Sequence, residues 1–125
     1  FLDAYSGYNQ TRLYGPDEIK TAFITPFGCF FYVTMPFGLK NNGATFMRMI
    51  HKCQLTQISR TMEAYMDDIV VKSRKGSDLL IDLAETFANL RRYDIKLNPS
   101  KCTFGGPGGK LLGFLVSERG IDANP

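Results

Sequence analysis

The sequence predicts an α+β domain in which helices pack on one face of an antiparallel sheet. Three observations support this class. Short runs rich in β-branched and aromatic residues occur in pairs around turn residues, and two longer segments carry apolar residues at helical spacing. These segments follow one another in the order strand, hairpin, helix, hairpin, helix, hairpin. A chain of 125 residues with 44% hydrophobic content can build one core but is too short for two ordinary domains.

The first third of the chain predicts a strand, a loop and a hairpin. Residues 1–4 are typical of the end of a buried strand, which the Ser-Gly pair at 6–7 breaks. Residues 11–20 contain Gly-Pro-Asp and predict turn and loop. Residues 21–25 and 29–35 are rich in β-branched and aromatic side chains around a Pro-Phe-Gly turn, so we expect a hairpin there.

The middle of the chain predicts a helix followed by a second hairpin. In residues 42–58, apolar side chains recur at helical spacing, and Asn42 is a plausible N-cap. Gln54 would place a polar group in the packed face of this helix. Residues 62–65 and 69–72 predict two short strands about a tight turn at Met66-Asp67.

The last third of the chain predicts a long helix and a final hairpin. Residues 77–93 have basic residues near the end, which suits the helix dipole. The expected apolar stripe of this helix consists of Leu80, Leu83, Ala84, Phe87 and Leu90. Residues 105–109 are four glycines and a proline and predict a turn, after which residues 110–117 are typical of a strand.

Composition excludes several classes of protein. A net charge of +3 is compatible with nucleic-acid binding but does not require it. The three cysteines are far apart and form no CxxC pair, which favours reduced thiols in an intracellular protein over a zinc site. No apolar run is long enough to span a bilayer and no stretch of these residues resembles a signal peptide, so we expect no membrane partner. The chain begins without Met and reads as a piece of something longer.

Two adjacent acids, Asp67 and Asp68, lie between short apolar runs at the second hairpin. A solvated turn explains the pair by itself, because Asp is a common turn residue. Asp3 adds a third carboxylate at the end of another apolar strand, and Asp3 and Asp67 would share a sheet edge if the two strands were neighbours. Clustered carboxylates repel one another unless a cation intervenes. Mg²⁺ suits such oxygen ligands, and paired Mg²⁺ ions serve in-line phosphoryl transfer.

Four motifs in order resemble those of reverse transcriptases. They are FLDAYSGYNQ at 1–10, MPFGLKNNGATF at 35–46, YMDD at 65–68 and LGF at 112–114. The residues within these motifs are similar to those of gypsy-type LTR retrotransposon polyproteins, particularly plant ones. The resemblance covers residues 1–125 and implies a ferredoxin-like polymerase palm with part of the fingers. The upstream fingers, the thumb and RNase H would then lie outside this partial domain.

The resemblance also implies a catalytic site. Asp3, Asp67 and Asp68 would be the carboxylates for two Mg²⁺ ions, with Mn²⁺ as a possible substitute and Asp68 in the supporting role. The positions that match the nucleotide site are Ser6, Gly7, Tyr8, Phe37 and Gly38. Backbone N–H groups near Ser6 and Gly7 would approach the phosphates, and Tyr8 would pack under the sugar and reject a 2′-hydroxyl.

Three basic residues have both a functional and an ordinary interpretation. Lys40 and Arg48 could meet template phosphates, and Lys101 matches a lysine proposed to protonate pyrophosphate, but each is equally explained as a solvated surface base. His51 is interpreted as structural because no partner motif lies near it. Asn42, Gln54 and the glycine run at 105–109 depart from the usual family pattern, which fits a copy that has drifted.

The expected function is therefore template-directed transfer of deoxynucleotides to a primer 3′-hydroxyl. The implied partners are an RNA or DNA template with primer, deoxynucleoside triphosphates and the rest of a polyprotein (fingers, thumb, RNase H and integrase). The implied location is intracellular, in a cytoplasmic virus-like particle or the nucleus. We expect the 125 residues alone to be inactive. Two alternatives stay open: a degenerate, non-catalytic remnant with weak nucleic-acid binding, and an unrelated ferredoxin-like binding module.

Overall fold

Eight strands and three α-helices lie in residues 1–123, the part of the chain that the computed structural model describes. The strands are β1 (Leu2–Asp3), β2 (Phe23–Thr25), β3 (Gly28–Phe30), β4 (Met62–Tyr65), β5 (Asp68–Val71), β6 (Gly108–Leu111), β7 (Phe114–Ser117) and β8 (Gly120–Ala123). The helices are α1 (Gly15–Glu18), α2 (Asn42–Cys53) and α3 (Gly76–Arg92). Both predicted long helices and the first two hairpins are present, and the predicted α+β class is confirmed.

The central sheet contains β1, β5 and β4 in that spatial order, and both pairs of neighbours are antiparallel. The register places Leu2 opposite Ile69 and Asp3 opposite Asp68. Strands β2 and β3 form a separate hairpin, and β6, β7 and β8 form a three-stranded meander. The two strands that carry the acids are therefore neighbours, which is the condition under which Asp3 and Asp67 were expected to share a sheet edge.

The core lies between the central sheet and the two long helices. Helix α2 packs against β4, and α3 packs against β5. Four apolar side chains are fully buried there: Phe46, Ile50, Met62 and Ile69. Burying an apolar side chain of this size stabilises the fold by roughly 1.5–3 kcal/mol, so this cluster holds the helices on the sheet.

Helix α2 differs from its prediction at both ends. Asn42 does not cap it; Asn41 is the N-cap, and Asn42 is buried and donates its side-chain N–H to the carbonyl of Pro36. The helix ends at Cys53 instead of reaching Ile58, because the chain after Gln54 folds into successive turns. Gln54 is fully buried, as expected of a polar group in the packed face.

The buried face of α3 is partly polar, and the predicted apolar stripe is wrong at two positions. Leu80 is 75% exposed and Ala84 is also exposed, whereas Thr86 is fully buried. Thr86 donates its hydroxyl hydrogen to Gln57 Oε1 at 2.9 Å. The Gln57 side chain donates in turn to the carbonyl of Asp82 at 3.0 Å. Helix α3 therefore turns Thr86 toward its hydrogen-bond partner. The spacing of apolar residues alone does not predict this orientation.

Two loop predictions also need correction. Residues 11–20 contain α1, which Pro16 helps to start because proline suits the first turn of a helix. Residues 108 and 109 belong to β6 instead of the predicted turn. The predicted strand at 110–117 is divided by a hairpin turn at Leu112 and Gly113, both with positive φ, and β8 follows as a third strand.

An extended segment covers the outer edge of β1. Asn98 N–H donates to the carbonyl of Asp3 at 2.9 Å, and Tyr5 N–H donates to the carbonyl of Lys96 at 3.0 Å. Ala4 and Leu97 form an isolated antiparallel bridge between these bonds. The end of β1 is therefore held on both sides, by β5 and by residues 96–98.

Helices suited to crossing a membrane are absent from residues 1–123, since none of them combines the necessary length and hydropathy.

Candidate active site

The acidic pair lies at the tip of the hairpin between β4 and β5. Tyr65 pairs with Asp68, so Met66 and Asp67 form a two-residue turn. Met66 has φ of 51°, a conformation that short hairpin turns need and that non-glycine residues rarely adopt. The turn frees Asp67 from the strand alternation and carries its carboxylate to the end of the sheet, while Asp68 is the first residue of β5.

Asp3 lies directly across the sheet from Asp68. Directly opposed residues of an antiparallel pair point to the same face and have Cβ atoms roughly 4.5–5.5 Å apart. Asp3 is thus close to one acid through the strand register and close to the other through the hairpin tip. The structure brings together all three acids that the sequence singled out, although their roles stay a prediction.

Two cavities lie beside Asp3, and this residue contributes to the lining of both. A cavity of about 240 Å³ is lined by Asp3, Ala4, Tyr5, Ser6, Gly7, Tyr8, Phe37, Asp67, Asn98 and Lys101. A second cavity, of about 310 Å³, is lined by Phe1, Leu2, Asp3, Asp68, Ile69, Lys101, Thr103, Gly109 and Lys110. We call the first the Asp67 cavity and the second the Asp68 cavity. Asp3 and Lys101 border both cavities, whereas Asp67 and Asp68 each border one.

The Asp67 carboxylate is in an unfavourable environment. Its Oδ1 atom is buried and has no hydrogen-bond partner within residues 1–123. Burial raises the pKa of Asp67 above its ordinary value, and repulsion from Asp3 and Asp68 raises it further. The positive charge of Lys101 opposes this shift in part. A buried carboxylate oxygen without a donor is suited to receive a cation.

The backbone after β1 approaches Asp67 closely. Ser6 adopts a left-handed conformation with φ of 46°, and Gly7 begins a short 3-10 turn that ends at Gln10. A Cβ atom at Gly7 would lie 2.8 Å from Asp67 Oδ1 and 2.8 Å from Cζ of Phe46. Glycine is required at this position because the backbone, the carboxylate and the buried ring leave no room for a side chain.

Tyr8 forms one wall of the Asp67 cavity and is held by aromatic contacts. Its ring meets Phe37 edge-on at a centroid distance of 5.6 Å and Phe46 at 5.8 Å. Phe46 is fully buried, whereas Phe37 is 72% exposed. Tyr8 is therefore fixed from the core side, and Phe37 forms an exposed aromatic edge of the same cavity.

Other candidate residues lie apart from this cavity. Gly38 has φ of 91° and follows Phe37 but is not among the lining residues. Lys40 borders a different cavity, of about 420 Å³, which also contains Arg12 and Lys20. Arg48 is exposed on α2.

The sequence did not point to two residues of the cavity wall, and His51, which was interpreted as structural, lies outside that wall. Tyr5 and Asn98 line the Asp67 cavity, yet no motif pointed to either role. His51 is exposed on α2. Within residues 1–123, no three His, Cys, Asp or Glu side chains are arranged to hold a metal ion, so Asp3, Asp67 and Asp68 lie near one another without forming a complete ligand set.

Comparison with known proteins identifies relatives. A family model described as reverse transcriptase (RNA-dependent DNA polymerase) matches residues 1–116. The Pol polyprotein from transposon opus of Drosophila melanogaster is 35% identical over 124 residues, which are 99% of this chain and 12% of that protein. The transposon Tf2-3 polyprotein of Schizosaccharomyces pombe is 31% identical over 120 residues, which are 96% of this chain and 9% of that protein. The chain thus spans about a tenth of the length of these relatives.

Solved structures share the fold. The foamy viral protease-reverse transcriptase in complex with an RNA/DNA hybrid aligns with a TM-score of 0.89 at 20% identity, over 98% of this chain and 16% of that one. The same protein in complex with double-stranded DNA aligns with a TM-score of 0.85 at 21% identity, over 98% of this chain and 25% of that one. This likeness shows that the α+β arrangement of a polymerase is present here.

Proposed function

This chain belongs to the reverse transcriptase family, and on that premise we propose that it is the catalytic palm, with part of the fingers, of a retrotransposon RNA-directed DNA polymerase. The relatives are retrotransposon polyproteins, which supports a place within a longer polypeptide that supplies the remaining fingers, a thumb, RNase H and integrase. The motif wording supports a gypsy-type element from a plant host. The site of action would be intracellular, in a cytoplasmic particle or the nucleus.

The proposed reaction is nucleotidyl transfer. The 3′-hydroxyl of a primer attacks the α-phosphorus of a deoxynucleoside triphosphate, an ester bond forms, and pyrophosphate leaves. One observation carries this proposal: Asp3 and Asp67 line one cavity, and Asp67 brings a buried oxygen without a partner. Two oxygen ligands beside a cavity open to a phosphate-bearing substrate are the protein part of a typical Mg²⁺ site.

The residues present fit Mg²⁺ as a site that the substrate completes. Asp3 and Asp67 would hold the ion, because Mg²⁺ is usually bound by one or two carboxylates together with water and substrate phosphates. Asp68 borders the neighbouring cavity and would support Asp3 from across the sheet. When bound, Mg²⁺ or Mn²⁺ would favour deprotonation of the primer hydroxyl and neutralise charge on the phosphates.

The remaining walls of the Asp67 cavity suit a nucleotide. Gly7 lets the backbone approach closely enough for its N–H groups, with those near Ser6, to donate to phosphate oxygens. The Tyr8 ring, held against Phe46, offers a flat wall under a sugar and opposes a 2′-hydroxyl. Phe37 would stack on the nucleotide, and Gly38, whose φ is 91°, would let the backbone turn beside it.

We expect that the 125 residues alone do not extend a primer. Within residues 1–123, Lys101 is the one cationic side chain that lines the Asp67 cavity. A nucleoside triphosphate carries several negative charges, and the acidic residues Asp3 and Asp67 already line the cavity. Further cations from the longer polypeptide would therefore be needed to bind the substrate.

Primer extension tests the proposal in a longer Pol polypeptide that contains this chain. Asp67→Asn and Asp3→Asn should each lower the rate by roughly a hundredfold or more, because metal ligation contributes several kcal/mol to transition-state stabilisation. Asp94→Asn is a matched control, since Asp94 is exposed and has φ of 54°, which Asn also tolerates. An inactive wild-type polypeptide would instead favour the interpretation as a degenerate remnant.

Metal binding can be tested without activity. Mg²⁺ at saturating concentration should raise the unfolding temperature of the 125-residue chain, because a ligand that binds only the folded state stabilises it. The effect should vanish in Asp67→Asn and persist in Asp94→Asn. An equal increase in both variants would argue against a site at Asp67.

A further inference from the structure

The ladder between β1 and residues 96–98 ends abruptly at Tyr5. Tyr5 N–H donates to the carbonyl of Lys96, but Ser6 then turns the chain away with φ of 46°. In a regular antiparallel pair the Lys96 N–H would donate back to the carbonyl of Tyr5, but within residues 1–123 the main chain makes no such bond. This rung of the ladder therefore lacks its second main-chain hydrogen bond.

The side chain of Gln10 supplies this rung. Its Oε1 atom accepts the Lys96 N–H at 2.7 Å, and its Nε2 atom donates to the carbonyl of Lys96 at 2.9 Å. Nε2 also donates to the carbonyl of Tyr5. A primary amide carries an acceptor and two donors, so one Gln side chain can pair with a residue as a neighbouring strand would. These contacts join positions that are 86 residues apart in sequence.

Each end of this connection leads to a wall of the Asp67 cavity. Ser6, Gly7 and Tyr8 belong to the same turn as Gln10, and Asn98 and Lys101 follow Lys96 by two and five positions. Gln10 does not line the cavity. It therefore holds the two walls together without being available to contact a substrate in the cavity.

We propose that Gln10 is a positioning residue that pairs with Lys96 in place of a strand and thereby holds Lys101 and Asn98 at a fixed separation from Ser6–Tyr8. Its effect on nucleotide binding rests on the proposed polymerase function. The pairing itself is a property of the folded chain. Both the oxygen and the NH2 group of the amide are needed. In Gln10→Glu, one carboxylate oxygen could still accept the Lys96 N–H, but the second oxygen would face the carbonyl groups of Tyr5 and Lys96, to which it cannot donate.

Hydrogen exchange of the 125-residue chain tests the pairing. Gln10→Ala should accelerate exchange of the Lys96 N–H by about tenfold, as expected when a few ordinary hydrogen bonds are lost. Gln10→Glu preserves the size of the side chain and should still accelerate exchange across residues 96–101. Asn9→Ala is the matched control, since Asn9 lies on the same turn, is exposed, and makes no side-chain hydrogen bond within residues 1–123. Unchanged exchange in both Gln10 variants would overturn the proposal.

Steady-state kinetics of the longer polypeptide test the consequence. Gln10→Ala and Gln10→Glu should raise KM for the deoxynucleoside triphosphate by about tenfold and change kcat much less, because they loosen a binding wall and leave the acids in place. Faster exchange with an unchanged KM would overturn the positioning role. If the wild-type polypeptide does not extend a primer, the proposed function fails, and hydrogen exchange alone then supports or overturns the pairing.

Discussion

Replacement of Gly7 by Ala measures how tightly the hairpin tip is packed against the core. The new Cβ would lie 2.8 Å from Asp67 Oδ1 and 2.8 Å from Cζ of Phe46, which is closer than van der Waals contact allows. Phe46 is fully buried, so its ring can move aside only if the surrounding core adjusts. Overpacking of this kind costs about 1–3 kcal/mol, and the loss of glycine flexibility in the unfolded chain returns about 0.4–1 kcal/mol. These ranges give a net loss of stability of about 0–2.6 kcal/mol, with a central value of about 1.3 kcal/mol.

Urea unfolding of the 125-residue chain is the assay. A loss of this size should lower the midpoint by several tenths of a molar or more, given slopes of about 1–3 kcal/mol per molar for small proteins. Gly15→Ala is the matched control, because nothing lies within 4 Å of the position that its new Cβ would occupy and the residue is exposed in α1. That variant should be as stable as the wild type or slightly more stable. Equal midpoints for Gly7→Ala and Gly15→Ala would refute the reasoning.

A double-mutant cycle identifies the obstructing group. Phe46→Leu removes the ring edge that the Gly7→Ala methyl group would strike, at the expense of a smaller core side chain. If the ring is the obstacle, the combined loss should be at least about 0.5 kcal/mol smaller than the sum of the single losses. Additive losses would show that the methyl group clashes elsewhere.

Three further predictions concern stability of the 125-residue chain. The pKa of Asp67 is raised in the folded state, so the folded chain binds more protons than the unfolded chain between the two pKa values. The free energy of unfolding therefore falls as pH rises through that window. Asp67→Asn should stabilise the metal-free chain at neutral pH and flatten this pH dependence in urea titrations. Leu90→Ala should cost about 2–5 kcal/mol because Leu90 is 2% exposed, whereas Leu80→Ala, at a position 75% exposed, should change stability by less than about 0.5 kcal/mol; equal effects would contradict the observed orientation of α3. Thr86→Val should cost about 1–3 kcal/mol by leaving Gln57 Oε1 without its donor, and a neutral result in thermal unfolding would contradict this hydrogen bond.

The hairpins and long helices could be predicted because their signals are local. The tight turn at Met66-Asp67 was predicted from two short β runs at 62–65 and 69–72, and the structure has β4 and β5 there, with β5 beginning one residue earlier, at Asp68. That β1 and β5 lie side by side was a hypothesis, based only on the acids at the ends of two predicted strands. Its register, Asp3 opposite Asp68, depends on pairing across more than sixty residues and could not be read from either segment alone.

The polar packing between α2 and α3 could not be predicted from periodicity. Gln54 donates to the carbonyl of Thr86, and Gln57 donates to the carbonyl of Asp82, so amides near the end of one helix satisfy groups on another. A hydrophobic pattern scores Gln and Thr as surface residues and therefore assigns Leu80 to the buried face. The partners that favour burial of the polar residues lie 25 to 32 residues away in sequence.

The same difficulty applies to the lining of the Asp67 cavity. Asn98 lines the cavity and Gln10 holds its walls, but both have residue types that suit a turn or a loop, and the sequence assigned no role to either. Their importance arises only when residues 96–98 cover the edge of β1. Residues after α3 reach this cavity only because of how the strands and helices are arranged in the fold. Local sequence patterns carry no information about that arrangement.

Three destabilising features occur together at the hairpin tip. Met66 has a strained positive φ, Asp67 buries an oxygen without a donor, and the neighbouring acids repel it. A solvated turn would avoid all three, because an exposed Asp hydrates freely and a glycine could replace Met66. Strain and unsatisfied charge persist only where the surrounding structure imposes them, and here the backbone of Gly7 lies close against the acid. A cation would convert the same repulsion into ligation, so the features that weaken the metal-free chain are those that a metal-dependent site requires.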